Sequence, residues 1–166
     1  MKNKFLSFAA VSLLAMAGCR NDGDDAQIID QVVHIYFQNA GGEDLLSKDA
    51  KPGFREVHLK DLGGIRDLVS LGNAKIARDD AGKYFAEYIA GAKRNLTDSL
   101  NPEQKFYRSE MLLELKKDSA TDITRDTMIV LYEWTPRKFS VKSISYNRKC
   151  VFKKSGAEPN AFTIIK

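Results

Sequence analysis

Two histidines, two cysteines and a spaced pair of glutamates are the side chains through which this 166-residue chain could do chemistry. His34 and His58 each occupy a polar position in an alternating segment. Side by side they would make half of a metal site, but a tetrahedral centre needs further ligands at recognisable spacing. None stands nearby, so both read as solvent-facing strand residues and no metal is expected. Glu110 and Glu114 would point the same way from one strand, roughly 13 Å apart at strand rise. Paired glycosidase carboxyls need about 5–9.5 Å, so these two read as a solvated strand face. Gly-x-Ser-x-Gly, zincin and Ser-x-x-Lys motifs are absent from the sequence. A dyad of Cys150 with either histidine has no support in spacing, and Cys150 reads as a small buried hydrophobe. The expectation is a chain without catalytic residues and without a cofactor.

Aromatic side chains are the stronger lead. Tyr84, Tyr88, Tyr107, Tyr132, Trp134 and Tyr146 could pack in a core or offer a platform for a sugar or a protein partner. Trp134 ends a strand just before Pro136, which makes it the first candidate for ligand contact. Tyr84 and Tyr88, on one face of their strand, come next.

Cys19 carries a different chemistry, set by what precedes it. Lys2 and Lys4 are followed by an uncharged run from Phe5 to Ala17 and then by Met16-Ala17-Gly18-Cys19. This is the layout of an export signal: basic start, short apolar stretch, small residues at the cleavage point. Thirteen uncharged residues span about 20 Å as a helix, short of the roughly 30 Å hydrocarbon core. The tetrapeptide resembles the lipobox of bacterial lipoproteins, with Met16 where that family usually has Leu. The resemblance implies diacylglycerol on the Cys19 thiol, cleavage after Gly18 and acylation of the new amino terminus. It further implies residence in the cell envelope of a Gram-negative bacterium, at the outer membrane, held by acyl chains. Asp22, Asp24 and Asp25 resemble the acidic sorting stretches of some surface-exposed lipoproteins, and leave the periplasmic and surface faces both open.

Residues 1–18 are thus expected as signal peptide, 19–27 as a lipidated acidic tether, and 28–166 as one domain. The tether carries no aliphatic larger than Ala26, so it cannot bury apolar surface. Net charge is +4, of which Lys2 and Lys4 contribute two, leaving +2 after the signal. Acidic and basic residues interleave without a basic stripe, which argues against a nucleic-acid partner. With Cys19 acylated, Cys150 has no mate for an intrachain disulfide.

Period-two alternation dominates the domain. Val33, Ile35 and Phe37 alternate with polar residues; so do Val57 and Leu59. Lys75–Arg78 and Lys83–Ile89 flank Asp79-Asp-Ala-Gly82 as a hairpin. Over 104–117, Asn101-Pro102-Glu103 resembles a helix start, yet Met111, Leu113 and Leu115 alternate with charges, and a strand is expected. Thr127–Trp134, Phe139–Tyr146, Lys149–Lys153 and Phe162–Ile165 read as further strands, with Asn147-Arg148 as a two-residue hairpin turn. Seven or eight short, mainly antiparallel strands predict an all-β sandwich, with a barrel as the alternative.

Asp126-Thr127 opening one strand and Ser145-Tyr146-Asn147 closing the next resemble a pattern in small envelope lipoproteins, although Arg148 replaces the glycine usual after the asparagine. No activity comes with that resemblance. The functional expectation is a lipid-anchored, non-catalytic binding or structural module, with a glycan or an envelope protein as partner. An envelope enzyme or enzyme inhibitor with an unfamiliar site is the alternative, and an assembly subunit using an open edge strand is another.

Overall fold

The computed structural model describes residues 26–66, 68–118 and 122–166. Gly18, Cys19 and most of the expected tether lie outside them. Among the described residues the chain forms twelve strands and no helix. They are β1 Ile28–Asp30, β2 Val33–Gln38, β3 Glu56–Asp61, β4 Val69–Asn73, β5 Lys75–Arg78 and β6 Tyr84–Tyr88. They continue as β7 Asn95–Asn101, β8 Gln104–Lys116, β9 Ile123–Trp134, β10 Lys138–Tyr146, β11 Lys149–Lys153 and β12 Asn160–Ile165. The all-β expectation is met. The count exceeds seven or eight because short edge segments such as β1, β4 and β7 carry little alternation to read.

Burial follows the two-residue period. In β2, Val33, Ile35 and Phe37 are fully buried while His34, Tyr36 and Gln38 face outward. Residues 104–116 form one long strand, whose Met111, Leu113 and Leu115 are equally buried. Chain reversal at Asn147-Arg148 puts both residues at positive φ, 47° and 68°, the conformation a tight hairpin of matching twist requires.

Two mixed sheets result, and the larger curls into a half-barrel. Its spine is the antiparallel meander β8–β9–β10. Beside β8 lie β7 at one half and β3 at the other, with β4 beyond β3. Beside β10 lie β1, in parallel, and β11. The smaller sheet runs β12–β2–β6–β5, with β12 parallel to β2. A single residue, buried Ala74, separates β4 of one sheet from β5 of the other, so the chain turns the corner there.

Strand lengths decide what is covered. β8, β9 and β10 have 13, 12 and 9 residues, against four to six in the smaller sheet. At strand rise that is roughly 40 Å for β8 against roughly 20 Å. The small sheet therefore cannot cover both ends of the large one. At one end, Leu45, Leu46 and Phe54 from the segment joining β2 to β3 are buried in the core cluster. At the other end no comparable apolar plug exists among the described residues.

Candidate functional site

Following the inner rows of the large sheet toward that second end leads to two half-buried aromatics, Tyr107 and Trp134. In β9 the inward residues Met128, Val130 and Tyr132 are buried, and the row ends at half-buried Trp134. In β8 the row runs from Leu113 and Met111 to half-buried Tyr107. Opposite Tyr107 stands Leu96 of β7, 57% exposed, and opposite Phe139 of β10 stands Ile29 of β1, 54% exposed. The core-facing surface simply outruns its cover. What remains is a groove of about 420 Å³, lined by Gln27, Ile29, Gln31, Arg94, Tyr107, Trp134 and Phe139.

Its floor is rigid. Tyr132 and Phe139 stack at 5.2 Å, and Tyr107 meets Phe139 edge-on at 6.3 Å. Arg94 places its guanidinium 4.7 Å from the Phe139 centroid and 5.4 Å from that of Tyr132. Gln31 Oε1 accepts a hydrogen bond from the same guanidinium. Lys105 lies 5.0 Å from the Trp134 ring centroid. Cations over aromatic faces contribute about 0.5–1 kcal/mol each at exposed sites. The wall formed by β1 is pinned in turn. Gln27 Nε2 donates to Thr135 O at 2.6 Å, and Asp30 takes bonds from Lys154 and Asn160. Burial alone would raise the Asp30 carboxyl; Lys154 and Asn160 outweigh it and hold it below its usual value. Beneath the groove the Tyr132 phenol is pushed up, chiefly by burial and next by Tyr88, so it stays neutral.

The lining offers flat apolar faces, amides and a fixed guanidinium, with no carboxylate, imidazole or thiol among the residues that form it. A second cleft, of about 230 Å³, lies at the opposite end of β9 and includes Phe54, Lys117 and Lys166. There Lys117 is paired with Asp122 and Lys166 with Asp126.

Of Trp134, Tyr84 and Tyr88, the three aromatics put first for ligand contact, Trp134 alone lies in the groove, and Tyr107 from the wider set joins it. Tyr88 is corrected: it is 2% exposed, its ring packs in the core, and its hydroxyl accepts from the Ala92 amide. The face it shares with Tyr84 is the inner one, because Val33 and Ile35 of β2 pair with Tyr88 and Ala86. Tyr84 is half-buried on the small sheet under Arg78, apart from Trp134. Cys150 is likewise corrected, being exposed on β11 beside a register shift, not buried. His34 and His58 belong to different sheets: His34 stacks on Phe85 at 4.0 Å, while His58 bonds Ser70 and Asn73. Glu110 pairs with Arg108, and Glu114 with Lys60 and Arg125. Cys19 and Gly18 lie outside the described residues.

The Asp126-Thr127 and Ser145-Tyr146-Asn147 pattern turns out to be structural. Tyr146 OH and Asn147 Nδ2 donate to the two Asp126 oxygens at 2.8 and 2.5 Å, and Lys166 pairs with the same carboxylate. Thr127 N donates to Asn147 Oδ1 at 2.8 Å, closing the clamp. Arg94, Gln27 and Gln31 escaped the sequence reading, since Arg94 sits in a Gly-Ala-Lys-Arg-Asn segment with no pattern to mark it. No family model, curated protein or solved structure matches this chain.

Proposed function

We propose that this chain is a lipid-anchored binding module of the Gram-negative cell envelope, and that its groove takes an acidic sugar unit of an envelope glycan without catalysis there. The observation that carries the reading is the uncovered inner face at Trp134 and Tyr107, with Arg94 fixed over buried Phe139 on its floor. Aromatic faces stack on the apolar side of a sugar ring while amides and a guanidinium bond its oxygens. Arg94 and Lys105, without a carboxylate in the lining, favour a sugar bearing an anion.

Placement at the membrane fits the same reading. β1 is both the first described strand and a wall of the groove, so the chain leading back to Cys19 leaves beside it. The eight residues from Cys19 to Ala26 reach at most about 28 Å. Acyl chains on Cys19, each methylene contributing about 0.8 kcal/mol, would hold the groove within that distance of the bilayer. Assembly through an open edge has less support. β7, the most exposed edge, pairs with β8 through two register shifts, a twist that discourages strand addition.

Trp134 is the chain's one tryptophan, so its fluorescence reports on the groove without labelling. Titration with oligogalacturonate is expected to give a saturable change that weakens with added salt, and a neutral cello-oligosaccharide a change at least about tenfold weaker. Absence of a saturable response to both would reject the glycan reading and leave the envelope-protein partner.

A further inference from the structure

On the outer face of the large sheet, at the end of β8 far from the groove, a β-bulge assembles a second constellation. Ser70 and Asn73 are three residues apart and would point to opposite faces of an unbroken strand. The register of β4 on β3 shifts between them: Asn73 pairs with His58 and Ser70 with Lys60, leaving Leu71 as the extra residue. Gly72, at φ 89°, supplies the backbone conformation this bulge needs. Both side chains consequently flank His58.

The hydrogen bonds orient the group. Glu56 on the same outer face is bound by Lys116 at 2.8 Å. Asn73 Oδ1 faces His58 Nδ1 at 2.8 Å, and because an amide oxygen only accepts, Nδ1–H donates to it. The Nε2 lone pair is left facing the Ser70 hydroxyl at 3.0 Å. Ser70 Oγ meanwhile accepts from the Gly72 amide at 3.3 Å, so its own hydrogen is free to point at His58. Nucleophile, base and orienting amide stand in the order that activates a serine.

We propose that Ser70 is an acyl-accepting nucleophile, with His58 as its general base and Asn73 as a positioning residue, acting on activated esters. Ser70 Oγ attacks the acyl carbon as its proton passes to His58 Nε2. The carbon–oxygen bond to the leaving alcohol then breaks, and the alcohol departs with that proton. Water, deprotonated by His58 in its turn, releases the acid and restores Ser70. Lys60 stands opposite Ser70 in the register, its ammonium paired with Glu114 at 2.9 Å. This site is independent of the groove and goes beyond the binding role.

The test is incubation of the purified full chain with p-nitrophenyl acetate and with a fluorophosphonate probe, read by intact mass and peptide mapping. The expected result is one adduct per chain on Ser70, absent from Ser70→Ala and slowed roughly 100-fold in His58→Gln. Asn73→Ala should slow acylation while keeping the one-to-one stoichiometry, and Asn73→Asp, which retains the acceptor, should recover part of the rate. Ser70 is exposed, so Ser70→Ala keeps its strand circular dichroism. Labelling on tyrosine or lysine, labelling that survives Ser70→Ala, or no more labelling than urea-unfolded protein shows would overturn the proposal.

Discussion

The two ends of β9 make the most instructive contrast in this molecule. Its inner row reads Asp126, Met128, Val130, Tyr132, Trp134, and the three middle residues are buried alike. At the Asp126 end a carboxylate, 5% exposed, is sealed by Lys166, Tyr146 and Asn147, and Phe54 and Leu45 plug the space beside it. At the Trp134 end the row stops in a half-buried indole, with Arg94 and Lys105 as its polar company. One end spends its polar groups on closing the fold. The other leaves aromatic surface and donors available, which is what a binding site requires.

Breaking the closed end should therefore cost stability, and breaking the open end should cost binding. Phe54→Ala removes a buried ring that meets Phe37 edge-on at 5.7 Å, and is expected to destabilise by about 3–5 kcal/mol in urea unfolding. Asp126→Asn strips a buried pair of its anion and should cost about 3 kcal/mol at neutral pH. Burial would raise the Asp126 carboxyl, but Lys166, Asn147 and Tyr146 outweigh it and hold it below its usual value. A depressed folded pKa stabilises above the unfolded value of about 3.9 and is lost as pH falls through the folded one. The gap between wild type and Asp126→Asn should accordingly close in acid, below about pH 4. Trp134→Ala, at the open end, is expected to cost only about 1 kcal/mol of stability while abolishing the groove's affinity, read by calorimetry because the variant has no tryptophan. A loss of stability equal to that of Phe54→Ala would show Trp134 to be core, and the contrast between the ends would fail.

How much of this was legible in the sequence follows from what alternation reports. It marks which side chains face inward, so β2, β8, β9 and β10 and their buried residues were readable, as was the Asn147-Arg148 reversal. It does not say whether the inner face is covered. Tyr88 and Trp134 both lie on inner rows, yet Tyr88 is buried in the core between the two sheets, while nothing among the described residues plugs the end beside Trp134. Trp134 was reachable because Pro136 marks a strand end. Arg94 was not, because its place depends on where the crossover from β6 to β7 lands on Phe139. The Ser70 constellation was hidden by the bulge, since a regular strand would have separated Ser70 from Asn73.

Amide hydrogen exchange by mass spectrometry, with and without saturating oligogalacturonate, tests the groove most directly. Protection is expected in segments 27–31, 92–96, 105–108 and 134–139, with the Phe54 and Asp126 end unchanged. Protection confined to that closed end, or to the outer face around Ser70, would contradict the assignment of the ligand site to the open end of the sheet.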